Sequence, residues 1–167
     1  MGAYFLKKQA RSPILEGFGR NIYALLSFSG QQYIWIEFEG AMHLADVWIN
    51  GKHVMQHAGG YTPFVVDATG LLKTGKENEL LVRLDNRNNS LIPPGKPLET
   101  LDFCYYGGIY RNVHLIAKAD VHITHPILDG HPAGAGIFIT YPKVSQELSV
   151  LDAKTEIKNT SYKEKVV

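Results

Sequence analysis

Several features on which common protein functions depend are scarce or missing in this sequence. Cys104 is the only cysteine, so neither an internal disulfide framework nor a cysteine-based zinc site is expected. The net charge is +1 and basic blocks are absent, which argues against nucleic acid as a partner. The apolar runs are shorter than a membrane span, and we expect no membrane partner. The N-terminal residues lack an apolar core of signal-peptide length, which leaves the compartment open.

The motifs of several enzyme classes are missing as well. The sequence has no G-x-S-x-G nucleophile element, no phosphate-binding loop and no G-x-G-x-x-G after a strand. Cys104 has no basic residue close in sequence that would favour a nucleophilic thiolate. We therefore expect a buried or half-buried cysteine beside aromatic rings.

The residues that are present predict a nearly all-β chain. Short apolar runs recur between turn signals, which is typical of a sandwich or barrel. Asn50-Gly51 between two such runs is the strongest short hairpin signal. Residues 88–101 read as a long polar loop that holds three of the eight prolines. The pattern restarts near residue 120, so residues 120–167 predict the opening strands of a second β domain in a longer polypeptide.

Two glutamates are the first candidates for chemistry. Glu37 and Glu39 are two residues apart on a predicted strand, so both side chains project from one face. Two carboxyl groups about 5 Å apart can run a retaining glycoside hydrolysis. The alternative is a solvated strand face. We favour that alternative, because a catalytic pair needs a different environment for each carboxyl.

The stretch "DFCYYGGIYRNV", residues 102–113, is the second candidate and the densest part of the chain. A carboxylate such as that of Asp102 accepts hydrogen bonds from sugar hydroxyls. Aromatic rings stack on the apolar faces of sugars, and this stretch supplies several. The alternative is a hairpin corner whose tyrosines cover a sheet edge, and the residues alone leave both readings open. The rings in question are Phe103, Tyr105, Tyr106 and Tyr110.

Several of these motifs, in this order, resemble those of one known family. Residues 37–86 contain the Asn-Gly hairpin, a Gly-Gly-Tyr-x-Pro-Phe segment and a strand after Gly-x-x-Asn, and "IPPG" follows at 92–95. They resemble the N-terminal sugar-binding domain of glycoside hydrolase family 2, which includes β-galactosidases, β-glucuronidases and β-mannosidases. The family pattern Asp-Phe-x-x-Tyr-x-Gly-Ile-x-Arg is met by Asp102, Phe103, Tyr106, Gly108, Ile109 and Arg111.

The resemblance implies a fold and a domain order. After an N-terminal arm, residues 1–17, that matches poorly, residues 18–119 would form a jelly-roll β-sandwich of the galactose-binding-domain-like type. Residues 120–167 would begin an incomplete immunoglobulin-like β-sandwich. The two catalytic glutamates of the family lie in a later (β/α)₈ barrel, which needs about 250 residues. We therefore expect this chain to carry no catalytic residue and to be inactive alone.

The resemblance also implies roles for single residues. In the family the acid of this loop contacts the bound sugar and, in some β-galactosidases, a sodium ion; the match assigns both roles to Asp102. Magnesium would belong to the parent enzyme, and no other cofactor is expected in this chain. Tyr106 would be a second substrate contact. The loop would be supported by Gly107 and Gly108 at a sharp turn, by Arg111 through bidentate bonds to carbonyls or an acid, and by the stiff Pro93-Pro94 pair.

The expected partners are a β-galactoside or related sugar, the barrel of the same polypeptide and, through residues 120–167, a second copy of the chain. Three alternatives to a β-galactosidase part stay open. They are part of a β-glucuronidase, a free-standing carbohydrate-binding module and a purely structural scaffold domain.

Overall fold

The computed structural model describes residues 3–5, 20–26, 33–73, 76–131, 135–161 and 163–165, with side chains from residue 33 onward. The chain divides into two compact units. One comprises Met1–Gly30 with Ile34–Ala117, and the other Gln31–Tyr33 with Lys118–Val167. Among the described residues, no helix is long and apolar enough to span a membrane. The strands are β1 (Ala3–Phe5), β2 (Arg20–Leu26), β3 (Tyr33–Phe38), β4 (Ala41–Met42), β5 (Leu44–Ile49), β6 (Lys52–Ala58), β7 (Phe64–Asp67), β8 (Lys76–Asp85), β9 (Gly108–Ile109), β10 (Val113–Lys118), β11 (Val121–Ile123), β12 (Ile137–Val144), β13 (Ser149–Thr155) and β14 (Ile157–Asn159).

The first unit is a jelly-roll β-sandwich, as predicted. One four-stranded sheet has the order β1-β10-β3-β7 and the other the order β2-β8-β5-β6. A short antiparallel pair, β4 with β9, also belongs to this unit. The predicted N-terminal arm lies mostly outside the described residues, although β1 within it pairs with β10.

The core lies between the two sheets because strand residues alternate between faces. On β5, Ala45, Val47 and Ile49 are buried in the core, and β3 contributes Ile36 and Phe38 in the same way. Burying each large apolar side chain of this kind contributes about 1.5–3 kcal/mol. The sheets are joined by a core of β-branched and aromatic residues, the types that suit a pleated, half-buried surface.

The Asn50-Gly51 hairpin joins β5 to β6 as predicted. Both residues have positive φ, 50° and 80°, which is the geometry that favours this dipeptide in a two-residue turn. The Asn50 side chain also donates to the Leu71 carbonyl at 2.9 Å and accepts from the Glu79 backbone N–H at 3.1 Å. The turn is therefore tied to β8 and to the loop that precedes it.

The second unit contains two antiparallel strand pairs, β11 with β14 and β12 with β13. The Thr124 hydroxyl donates to Glu156 at 3.0 Å and accepts from the Gly136 N–H at 2.8 Å, which ties the pairs together. Large apolar side chains on β12 and β13 are exposed, among them Ile137 at 58% and Val144 at 71%. The immunoglobulin-like domain expected at 120–167 stays a prediction.

Candidate functional site

The loop of residues 102–111 is placed by backbone pairing at its C-terminal end. Met42 on β4 faces Gly108 on β9, and the Tyr110 N–H donates to the Gly40 carbonyl at 3.3 Å. Gly108 has a φ of +72°, a conformation that side-chain-bearing residues rarely adopt. A Cβ on Gly107 would lie 3.3 Å from the Asn86 side-chain nitrogen, so the backbone also packs closely there. Both positions therefore suit glycine, and the sharp turn expected behind Asp102 stays a prediction.

Tyr105 anchors the middle of the loop to the end of β8. Its hydroxyl donates to the Asn86 carbonyl at 2.7 Å and also contacts His43 Nδ1 at 2.8 Å. A tyrosine hydroxyl has one hydrogen, so the proton in the second contact must come from His43 Nδ1. His43 is buried at 4% exposure, and burial lowers its pKa below the usual value, an effect that Asp85 partly opposes. The buried histidine is therefore neutral and serves as a fixed donor.

Tyr110 anchors the other side of the loop. Its hydroxyl donates to the Gly60 carbonyl at 2.7 Å, which links the loop to residues 59–63. Its ring stacks on that of Tyr106, with centroids 4.5 Å apart and planes inclined by 10°. The guanidinium of Arg111 lies 5.8 Å from the Tyr110 ring centroid. The bidentate bonds expected of Arg111 stay a prediction.

The segment 59–63 is joined by hydrogen bonds to the loop of residues 102–111. The Tyr61 hydroxyl donates to the Cys104 carbonyl at 2.9 Å, and the Tyr61 ring meets that of Phe103 edge to face, with centroids 5.6 Å apart. His57 stabilises this segment, because its Nε2 donates to the Gly59 carbonyl at 3.0 Å. Burial lowers the pKa of His57, so it too is neutral near pH 7. Two loops distant in sequence are thus fixed against each other.

These contacts divide the aromatic residues of the loop into two groups. Tyr105 and Tyr110 spend their hydroxyls on internal carbonyls, so both serve the loop as anchors. Phe103 and Tyr106 remain 46% and 45% exposed, and Asp102, which precedes Phe103 in the chain, is exposed as well. A carboxylate next to exposed rings is an arrangement that suits a polyhydroxylated ligand with apolar ring faces.

The expectation for Cys104 was wrong. We expected a buried or half-buried thiol, but Cys104 is a free, exposed cysteine. The reason is that the loop is attached at this point through its backbone carbonyl, which accepts the Tyr61 hydroxyl. The side chain takes no part in that anchor.

The proline segment is ordered by its own hydrogen bonds. The Gly95 N–H donates to the Ile92 carbonyl at 2.8 Å, and the Leu98 N–H to Asn88 Oδ1 at 2.9 Å. Ile92 is buried, whereas Pro93 and Pro94 are exposed. The support that these prolines would give to Asp102 stays a prediction.

Of the two candidate glutamates, Glu37 lies on β3 and Glu39 directly follows its last residue, Phe38; Glu39 has a structural role. Glu39 accepts hydrogen bonds from His114 Nε2 at 3.0 Å and from the Asn112 N–H at 3.2 Å. The His114 hydrogen bond holds the pKa of Glu39 below its usual value, against the opposing effect of burial. Glu39 therefore fastens β3 to the start of β10, which accounts for it without a catalytic role.

Metal binding finds little support in this part of the protein. Among the described residues there is no group of three or more histidine, cysteine, aspartate or glutamate side chains placed to hold a metal ion. Asp102 can supply one oxygen ligand to sodium, and the remaining ligands would have to come from elsewhere.

Sequence reasoning missed three parts of the site: His43, Tyr61 and Asn86. Tyr61 lies in the Gly-Gly-Tyr-x-Pro-Phe segment, which was noted only as a family motif. His43 and Asn86 act through one ring nitrogen and one backbone carbonyl. Neither contact has a sequence pattern, because both depend on chain segments that meet only in the folded unit.

Comparison with known proteins adds the family. The model of the "Glycosyl hydrolases family 2, sugar binding domain" matches residues 18–119. A β-galactosidase of Thermoanaerobacter pseudethanolicus is 40% identical and a β-glucuronidase of Bacteroides fragilis 35% identical, each over 75% of this chain and 17% of the relative. The solved structure of Bacteroides uniformis β-glucuronidase 2 matches with a TM-score of 0.69 and 33% identity, over 88% of this chain and 17% of that one. The chain thus spans about a sixth of the length of these relatives. It belongs to glycosyl hydrolase family 2, and its residues 18–119 are the sugar-binding domain of that family.

Proposed function

We propose that this chain is the non-catalytic N-terminal part of a retaining β-glycosidase and that it completes the active site with the Asp102 carboxylate. The observation that carries the proposal is the anchoring of the loop around an exposed acid. Tyr105, Tyr110 and Tyr61 each donate to a backbone carbonyl and hold the loop, while Asp102 remains exposed. A carboxylate held before the ligand arrives loses little freedom on binding, which favours affinity.

Tyr106 is the second proposed substrate contact. Tyr110 stacks against one face of its ring at 4.5 Å, yet the residue remains 45% exposed. The stacked ring is held in one orientation, and its open part is available to the apolar face of a sugar. The supporting role in this proposal belongs to Gly107, Gly108, Arg111, Pro93 and Pro94.

The sugar is proposed to be a terminal β-galactoside, and a β-glucuronide is the alternative. Relatives at 40% and 35% identity carry the names β-galactosidase and β-glucuronidase. Asp102 suits a neutral sugar directly, since it accepts from hydroxyl groups. A uronate carries its own negative charge, so its selection would need basic groups from the rest of the polypeptide.

The test compares wild type with Asp102→Asn in the full-length polypeptide that contains this chain, on nitrophenyl β-galactoside and nitrophenyl β-glucuronide. We expect kcat/KM to fall on the hydrolysed sugar by about 2–4 kcal/mol of transition-state stabilisation, since a charged hydrogen bond is lost at the site. The control is Glu99→Gln, which neutralises an exposed acid in the nearby 3₁₀ turn Leu98–Thr100.

Unchanged kinetics for Asp102→Asn would contradict the proposal and favour the scaffold alternative. A free-standing binding module makes another prediction: the 167-residue chain by itself would bind a β-galactoside in calorimetry, and Asp102→Asn would abolish that binding.

A further inference from the structure

The proposed function above gives the rings of Tyr61 and Phe103 no contact with the sugar, since only the Tyr61 hydroxyl is used there, as an anchor of the loop. The two rings belong to different loops and meet edge to face, at a centroid distance of 5.6 Å and an interplanar angle of 74°. They remain 38% and 46% exposed. Together the exposed rings of Tyr61 and Phe103 form an apolar surface with two inclined sides, which we call the corner.

This corner is held in place. The Tyr61 hydroxyl donates to the Cys104 carbonyl at 2.9 Å, which fixes the Tyr61 ring against the residue that follows Phe103. Phe103 is also adjacent to Asp102 in the chain, so the corner and the carboxylate share one short stretch of backbone. An apolar surface of fixed shape next to a sugar-binding acid has the composition of a binding subsite, in which a few polar groups orient the ligand and rings contact the rest.

We propose that Tyr61 and Phe103 form the subsite for the leaving group of the glycoside, and that they bind leaving groups with a flat, apolar ring face. This inference rests on the proposed function. The terminal sugar is rich in hydroxyls, and its proposed contacts are the Asp102 carboxylate and the single ring of Tyr106. The corner offers aromatic surface instead, and such surface accepts ring faces with little regard to their hydroxyl pattern.

The retaining reaction gives a further reason to assign the corner to the leaving group. The bond to the leaving group breaks as the covalent glycosyl-enzyme forms, the leaving-group oxygen takes a proton from the general acid, and water then enters on the same side. Both rings keep exposed surface in this chain, so they are available for such a contact.

The flat ring has two sources, an aryl group or a second sugar, and the experiment distinguishes them. Wild type, Phe103→Leu and Phe103→Tyr are compared in the full-length polypeptide on three glycosides of the same terminal sugar: 2-naphthyl, methyl and a disaccharide. Asp102→Asn is assayed beside them. Phe103→Leu removes the ring and keeps an apolar side chain, whereas Phe103→Tyr keeps the ring.

We expect Phe103→Leu to lower kcat/KM about five- to tenfold on the naphthyl glycoside, on the disaccharide or on both, as expected for the loss of one ring contact. The methyl glycoside should be unchanged, and Phe103→Tyr should behave as wild type. The substrate that loses activity identifies the source of the ring. A kcat that is limited by hydrolysis of the glycosyl-enzyme should stay constant, since the leaving group has already departed at that step.

If Phe103→Leu lowers kcat/KM equally on all three glycosides, the ring acts in packing and the inference is overturned. If it lowers kcat/KM on none of them, the ring does not contact the leaving group and the inference is likewise overturned. Thermal unfolding of each variant shows whether the protein still folds. Tyr61→Phe serves as a milder second variant, because it keeps the ring and loses only the hydrogen bond to the Cys104 carbonyl. If Asp102→Asn loses activity on every substrate while Phe103→Leu changes neither the naphthyl-to-methyl nor the disaccharide-to-methyl ratio of kcat/KM, the proposed function stands and this inference fails. A polypeptide that hydrolyses none of the three overturns both.

Discussion

The ring of Tyr110 occupies the space that a side chain on Gly40 would need. A Cβ on Gly40 would lie 2.7 Å from Cζ of Tyr110 and 2.9 Å from its hydroxyl oxygen. The ring cannot simply move away, because its hydroxyl is bonded to Gly60 and its face is stacked on Tyr106. This close approach fixes where the loop of residues 102–111 meets β4.

Gly40→Ala is therefore expected to destabilise the sandwich by about 1–3 kcal/mol, the usual cost of overpacking a filled site. The measurement is urea unfolding followed by tryptophan fluorescence. In a Tyr110→Leu background the same substitution should cost much less, because the crowding ring is gone. Equal costs in the two backgrounds would show that Tyr110 is not what Gly40 accommodates.

Tyr105→Phe removes the hydroxyl that joins His43 to Asn86. We expect a loss of about 1–3 kcal/mol of unfolding free energy, since a buried N–H on His43 is left without its acceptor. Tyr106→Phe is the matched control, because it removes a hydroxyl from a ring that is 45% exposed and should change the stability little. A loss for Tyr105→Phe no larger than that of the control would contradict the anchoring role.

The stability of the sandwich should fall as the pH drops below about 6.5, the usual pKa of histidine. Burial lowers the pKa of His43 in the folded protein, so the unfolded chain takes up a proton at higher pH than the folded one does. The stability that depends on neutral His43 is thus complete above that pH and is lost towards lower pH. Its loss approaches about 1.4 kcal/mol per pH unit for one proton.

His43→Asn tests this pH dependence, because the asparagine amide can still donate towards Tyr105 but does not titrate. Unfolding free energies between pH 7.5 and 5 should decline less steeply in the variant. The slope should not vanish, since burial lowers the pKa of His57 as well. Parallel slopes in wild type and variant would exclude His43 as a source of the dependence.

Asp46 is a buried charged residue on β5. Its side chain is 6% exposed and accepts from Arg83 Nη2 at 2.6 Å, Gln56 Nε2 at 2.8 Å and His53 Nε2 at 3.1 Å. Burial alone would raise the pKa of Asp46, but these three donors outweigh burial and hold the pKa below its usual value. The stability contributed by the ionised carboxyl is therefore present above pH 3.8 and lost as the pH falls further.

Asp46→Asn should cost about 1.5–3 kcal/mol at pH 7, the range for hydrogen bonds to a charged group. Glu79→Gln, which neutralises an exposed acid on the neighbouring β8, is the control and should change the unfolding free energy by less than about 0.5 kcal/mol. Urea unfolding at pH 7 compares the two. Equal effects would mean that the three donors contribute no more than a surface charge does.

The sequence by itself determined the fold class and identified the stretch of residues 102–111 as a family motif. Alternating apolar residues put Ala45, Val47 and Ile49 in a core, and Asn50-Gly51 specified its turn, because face alternation and positive φ are local properties of the chain. The ordered motifs then identified the family and pointed to Asp102 before any contact was known.

Tertiary structure decided how the aromatic residues divide the work. Nothing local distinguishes Tyr105 and Tyr110, which hold the loop, from Tyr106 and Phe103, which stay exposed. The division depends on where the carbonyls of Asn86 and Gly60 lie, and these are brought to the loop only when the sandwich forms. A side chain's role as anchor or contact is set by partners distant in sequence, and hydrogen-bond geometry to such partners leaves no periodic trace in the chain.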